Sequence, residues 1–253
     1  MAASPIRITV HFTPSELDEL QCRDKTVVVI DVLRASTTII TALTNGAKEM
    51  IPVSSIESAV KISSSLFGDV TLRAGERNGK RIEGFNLGNS PLEFTEEAVK
   101  GKSIIFLTTN GSIAMVKARH AKHLLIGAFV NLSNIVDTLK ELNTDFTIIC
   151  SGQDGRFCLE DAVCAGKIIN RLKKDSKKQY SLDDAALSIA SLDEIYGKNI
   201  LRMLKTSEHG KYLAGIGFED DLKVCSQIDS LPMMPLSSGG VIKLHKNQLK
   251  NTA

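Results

Sequence analysis

Thr26-Val27-Val28-Val29-Ile30-Asp31-Val32-Leu33-Arg34-Ala35-Ser36-Thr37-Thr38 decides how this chain folds. Its first five residues are all β-branched and mostly apolar, which suits a strand covered on both faces. Helical spacing follows over residues 37–44, so the chain turns from strand to helix at Asp31. Outward from this stretch the alternation repeats. Residues 70–73, 103–108, 123–126 and 146–150 read as strands, and residues 56–66, 113–119 and 132–142 as helices. A β-α-β-α order predicts a three-layer α/β/α fold around a mostly parallel or mixed sheet. Residues 6–10, alternating polar and apolar, read as an edge strand.

After about residue 175 the pattern becomes helix after helix, over 182–196, 199–205 and 219–228, with Gly197 and Gly210 as stops. The expectation is one domain over residues 1–253, with a sheet-bearing part to about 175 and a helix-rich part from about 176. The lysine-rich end after His245 reads as a frayed tail.

Composition narrows the function. With 43% apolar and 24% charged residues over 253 positions, the chain can bury a real core and is not disordered. Lys plus Arg is 31 against 29 for Asp plus Glu, so the net charge of +2 argues against a general polyanion binder. No tryptophan and 5% aromatics leave little stacking surface for single-stranded nucleic acid. No apolar run approaches the roughly 20 residues that cross a bilayer, and residues 1–7 lack a secretory pattern. The expected location is the cytoplasm. Cys22, Cys150, Cys158, Cys164 and Cys225 form no C-x-x-C pair, so free thiols are expected.

Four junctions carry candidate chemistry. Asp31 to Thr38 offers a carboxylate, a guanidinium and hydroxyls where a helix starts, and anions bind at such starts. Equally, Asp31 or Ser36 serves there as a cap. Gly75-Glu76-Arg77-Asn78-Gly79-Lys80-Arg81, running on to Asn89-Ser90-Pro91, is a long Gly- and Asn-rich loop, or a simple turn series. Thr108-Thr109-Asn110-Gly111-Ser112 again joins strand to helix. Cys150-Ser151-Gly152-Gln153-Asp154-Gly155-Arg156 precedes Glu160 and Asp161, which lie off the apolar stripe of their helix and can face the strand ends. Four such junctions together outweigh each alone.

In order along the chain, residues 29–38, Gly75-Glu76-Arg77, residues 83–91, Thr108-Thr109-Asn110-Gly111, Leu159-Glu160-Asp161 and Gly217-Phe218-Glu219-Asp220-Asp221 resemble the 2-phosphosulfolactate phosphatase family, the ComB-like proteins. The resemblance covers nearly the whole chain, to Pro235. It implies a magnesium-dependent phosphatase acting on 2-phospho-3-sulfolactate, a step toward coenzyme M, in an α/β fold unlike the better-known phosphatase folds. A haloacid-dehalogenase-like site would need an acid where Leu33 stands.

The expected mechanism is metal-assisted hydrolysis. Asp31, Glu76, Glu160 and Asp161 are the candidate magnesium carboxylates. Asp31, Arg34, Glu76 and Asp161 are the candidate catalytic residues. Arg34, Ser36 and Thr37 are expected to take phosphoryl oxygens, and Arg77, Lys80 and Arg156 the other anionic groups. Asn89, Ser90, Thr109, Asn110 and Gly111 complete the expected binding set. Two alternatives stay open. Cys150 and Arg156 have the spacing of a cysteine phosphatase, although Asp154 between them would repel phosphate. A non-catalytic anion-binding module fits the lack of a histidine in a base motif, with His11, His120, His123, His209 and His245 read as surface or packing residues. The expected partner is a small anionic phosphorylated molecule, with no nucleic acid and no membrane; a homodimer is an open expectation.

Overall fold

The computed structural model describes residues 4–65, 71–174 and 178–244. Among them eleven strands, numbered along the chain, form one sheet: β1 (Ile6–His11), β2 (Thr26–Ile30), β3 (Glu49–Pro52), β4 (Thr71–Arg77), β5 (Lys80–Arg81), β6 (Ser103–Leu107), β7 (His123–Gly127), β8 (Phe146–Cys150), β9 (Tyr180–Leu182), β10 (Pro235–Ser238) and β11 (Val241–Leu244). The helices are α1 (Ala35–Thr44), α2 (Ile56–Ser65), α3 (Glu96–Val99), α4 (Gly111–Lys117), α5 (Leu132–Leu142), α6 (Leu159–Lys173), α7 (Asp184–Tyr196), α8 (Ile200–Thr206), α9 (Glu208–Gly215) and α10 (Glu219–Cys225). The strands lie in the order β5-β4-β6-β3-β11-β10-β7-β2-β8-β1-β9.

β2 is buried along its whole length and runs parallel to β7 on one side and β8 on the other. Its side chains alternate between two cores. Val28 and Ile30 join Ile135 of α5 and Ile168 of α6, while Val27 and Val29 join Ile39 of α1, Ala114 of α4 and Phe106 of β6. Both faces are covered, which is why the run needed no polar side. Ile30 stands level with Gly127 and Cys150, so the residues after all three leave the sheet at one edge.

Four strands separate β6 from β2, yet Phe106 and Val29 share a core, and α4 touches both β2 and β3. The sheet therefore curls around α1 and α4. That curl brings the carboxyl ends of β4 and β6 to those of β2 and β8.

Several elements differ from their sequence reading. β4 continues through Gly75 and Glu76, because Gly75 has no side chain: a Cβ there would meet the Leu107 carbonyl oxygen at 1.9 Å. Asn78 and Gly79, with φ of 51° and 72°, make the two-residue turn into β5. The Gly-rich loop thus begins as a hairpin. Residues 6–10 are not an edge, since β9 adds in parallel outside β1. The helix-rich part also contributes strands. β10 and β11 turn at Gly239-Gly240 and fill the space between β7 and β3 as the antiparallel element of the sheet's middle. Each is four residues long, as is β3, too short to show a period. Gly210 does not stop a helix but lies inside α9, where a Cβ would meet the Leu204 carbonyl at 1.8 Å; its bareness lets α9 close on α8. Residues 66, 70 and 175–177 and the tail from His245 lie outside the described residues. Among those described, no helix is long and apolar enough to cross a membrane.

Candidate active site

The first junction is held by its own side chains. Asp31 Oδ1 accepts from the Ala35 amide at 3.0 Å, and Ser36 Oγ accepts from the Asp31 amide at 3.0 Å. Thr37 Oγ1 donates to the Val32 carbonyl at 2.9 Å. Ser36 and Thr37 are fully buried and shape this turn, whereas the sequence reading gave them phosphoryl oxygens. Asp31 is left pointing outward from the sheet edge, with Gly111 packed against its Oδ2.

Glu76 joins two more junctions. Its Oε2 accepts from the Gly79 amide at 2.8 Å and its Oε1 from the Thr109 amide at 2.7 Å. Asn110 then reaches the β8 loop, its Oδ1 accepting from the Asp154 amide at 3.0 Å. Behind them Asp161 clamps the β2 and β8 exits, accepting from Val32 N at 2.8 Å and Gly152 N at 3.1 Å. Glu160 accepts or shares a proton with His209, Oε1 to Nδ1, at 3.0 Å.

Arg34 is not a surface charge. Its Nη1 donates to Asp221 Oδ2 and its Nη2 to the Gly79 carbonyl, both at 2.7 Å, and its guanidinium lies 4.2 Å over the Phe218 ring. Ser90 Oγ donates to the other Asp221 oxygen at 2.6 Å.

These junctions enclose a cavity of about 230 Å³, lined by Asp31, Leu33, Arg34, Glu76, Asn78, Gly79, Asn89, Thr108, Thr109, Asn110, Gln153, Asp154, His209, Tyr212 and Leu213. Six residues expected from sequence therefore meet: Asp31, Arg34, Glu76, Asn89, Thr109 and Asn110. Asp161, Glu160, Ser36, Thr37, Ser90 and Gly111 lie behind or beside the lining. Arg77 turns its Nη1 to the Glu76 carbonyl, Lys80 is exposed, and Arg156 lines a neighbouring cavity. His209, Tyr212 and Leu213 were missed. All three come from α9, and a lone histidine in a helical stretch carries no local sign of what it faces.

The charges are crowded. Burial, with some repulsion from Glu76 and Glu160, pushes Asp31 up to about 6, although His209 and the Ala35 amide pull it back. Burial, then the charges of Asp31 and Glu160, raises Asp161 well above the usual carboxylate range. Burial opposes the imidazolium of His209, but its bond to Glu160 and the charges of Glu160 and Asp31 prevail, and its pKa is raised. Cys150 ends a buried strand, and burial followed by the charge of Asp161 raises its thiol far from the thiolate range. Such surroundings oppose the thiolate that a nucleophilic Cys150 would need.

The residues fit a hard cation. Asn89 Oδ1 and Thr109 Oγ1 are buried oxygens without hydrogen-bond partners, and Asp31 and Glu76 open onto the same cavity. Magnesium takes such oxygen donors.

A curled, mostly parallel α/β sheet with an acid-lined cavity at its strand ends is the layout of a small-molecule enzyme of the α/β class. The sequence profile of the 2-phosphosulpholactate phosphatase family matches residues 11–240. The chain belongs to that family. It is 39% identical over 236 residues to a probable 2-phosphosulfolactate phosphatase of Caldanaerobacter subterraneus subsp. tengcongensis, covering 93% of this chain and 97% of the relative. It is 40% identical over 225 residues to one of Thermotoga maritima, covering 89% and 93%, and 38% identical over 234 residues to one of Clostridium novyi, covering 91% and 96%.

Proposed function

We propose that this chain is a magnesium-dependent phosphatase that hydrolyses 2-phospho-3-sulfolactate, or a closely similar small phosphomonoester, to 3-sulfolactate and phosphate. The observation that carries this reading is the meeting of Asp31 and Glu76 with unpartnered oxygens of Asn89 and Thr109 in one small cavity. The names of the relatives support the substrate. A phosphate entering beside Asp31, Glu76 and Asp154 meets like charge, so a cation has to stand between them.

Asp31 and Glu76 would hold the magnesium, with Asn89 and Thr109 as neutral donors and Glu160 and Asp161 adding charge from behind. Bound magnesium offsets phosphoryl charge and acidifies water. Glu76 keeps two junctions in register through the Gly79 and Thr109 amides. Arg34, fixed by Asp221, sets a positive field on the cavity wall without leaving its partners. The side-chain amides of Asn89 and Asn110 can donate to substrate oxygens, and Leu213 narrows access to water.

The test is phosphate release from 2-phospho-3-sulfolactate and other phosphomonoesters, first in chelator and then with magnesium restored. Activity is expected to vanish and return, and Cys150→Ser is expected to stay active. Turnover in chelator that Cys150→Ser abolishes would favour a thiolate enzyme. No release from any phosphomonoester would leave an anion-binding module.

A further inference from the structure

Cys158, Glu160 and His209 place a sulfur, a carboxylate oxygen and a ring nitrogen within 4.8 Å of one another. Cys158 directly precedes α6, Glu160 lies in its first turn, and His209 comes from α9. Glu160 is 1% exposed; its Oε1 pairs with His209, while its Oε2 has no nitrogen or oxygen donor and the Cys158 thiol is the neighbour that bonds to this carboxylate. A second cavity, of about 380 Å³, opens onto all three residues, so a fourth coordination position is reachable. The charge around the cluster is mostly negative: Asp31 and Asp161 act on Cys158 together with Glu160, and beside Arg156 on the cavity wall the raised His209 is the cation that a metal would replace.

We propose that Cys158, Glu160 and His209 form a binding site for a divalent metal of the zinc, cobalt or ferrous type, distinct from the magnesium carboxylates Asp31 and Glu76. The donor set decides the metal class. Thiolate and imidazole suit these ions, and magnesium accepts neither readily. A tetrahedral ion at about 2.0–2.3 Å from each donor holds its ligands roughly 3.3–3.8 Å apart, so small side-chain rotations close the site. On binding, the Cys158 thiol releases its proton to solvent and its sulfur donates a lone pair to the metal. The proton that His209 Nδ1 shares with Glu160 also goes to solvent, and the two groups exchange their mutual hydrogen bond for metal bonds. His209 lines both cavities, so the metal would fix its ring beside the substrate cavity. The site does not depend on the phosphatase reading.

Tag-free full-length protein, stripped with chelator, is titrated with cobalt and followed by absorption. One equivalent is expected to bind with a thiolate-to-cobalt charge-transfer band that excess magnesium does not remove. Cys158→Ser should lose that band, and His209→Gln should weaken binding roughly tenfold or more, with thermal transitions confirming that both variants are folded. Cobalt binding without the band, displacement by magnesium, or wild-type titrations in both variants would overturn the site. If Cys158→Ser fails to fold, His209→Gln decides by the same titration.

Discussion

Arg34, at the start of α1, donates to Asp221 of α10 at 2.7 Å across 187 positions of sequence, and both side chains are almost wholly buried. Ser90 completes the shell of Asp221, and the Gly79 carbonyl takes a second donor of Arg34. One ion pair thus ties the sheet edge, the β4–β5 hairpin and the C-terminal helices together.

Removing one partner of such a pair strands the other charge. Asp221→Ala should cost about 3–5 kcal/mol, a fall of roughly 10 °C in the thermal transition of a chain this size. Calorimetry checks it. A fall of only about 2 °C would show that Arg34 finds solvent instead.

Asp31→Asn keeps an oxygen for the Ala35 amide while removing a charge that burial disfavours. Phosphate release should drop at least about a hundredfold, with the thermal transition unchanged or raised. Were Asp31 only a cap, turnover would be normal even in Asp31→Ala, at a stability loss of roughly 1 kcal/mol.

Asp31 is raised from 3.8 to about 6, so the folded protein holds that proton more tightly than the unfolded chain. Its contribution is fully present below pH 3.8 and is lost as pH rises through about 6. Asp161 and His209, also raised, act with the same sign. In chelator, the melting temperature should therefore decline from pH 5 to pH 7.5, with Asp31 accounting for about 1.4 kcal/mol of that loss. Magnesium should recover stability at pH 7.5 and little at pH 5, because its ligands must be ionised. Equal magnesium shifts at both pH values would separate Asp31 from the metal.

At Gly111 a Cβ would stand 2.4 Å from Asp31 Oδ2 and 2.5 Å from the Ala35 Cβ. Gly111→Ala should cost about 1–3 kcal/mol and, by displacing Asp31, remove most activity. Ser112→Ala, which breaks only the Thr108 cap, should cost about 1 kcal/mol and keep turnover. Equal activity in the two variants would show that the position of Asp31 is not critical.

Local chemistry made much of this readable from sequence. Unbroken β-branched and apolar runs announced β2, β6, β7 and β8, and polar residues at strand exits announced Asp31, Glu76, Asn89, Thr109 and Asn110. Parallel strands share an edge, so those exits had to be neighbours if the sheet formed. Three things were left to the tertiary structure: the insertion of β10 and β11, the burial of Arg34 against Asp221, and the arrival of His209 beside Glu160. Four-residue strands lack a period, and a lone arginine or histidine looks the same on a surface as in a core. Their partners lie far along the chain, and only the packing of α8, α9 and α10 onto the curled sheet brings them within bonding distance.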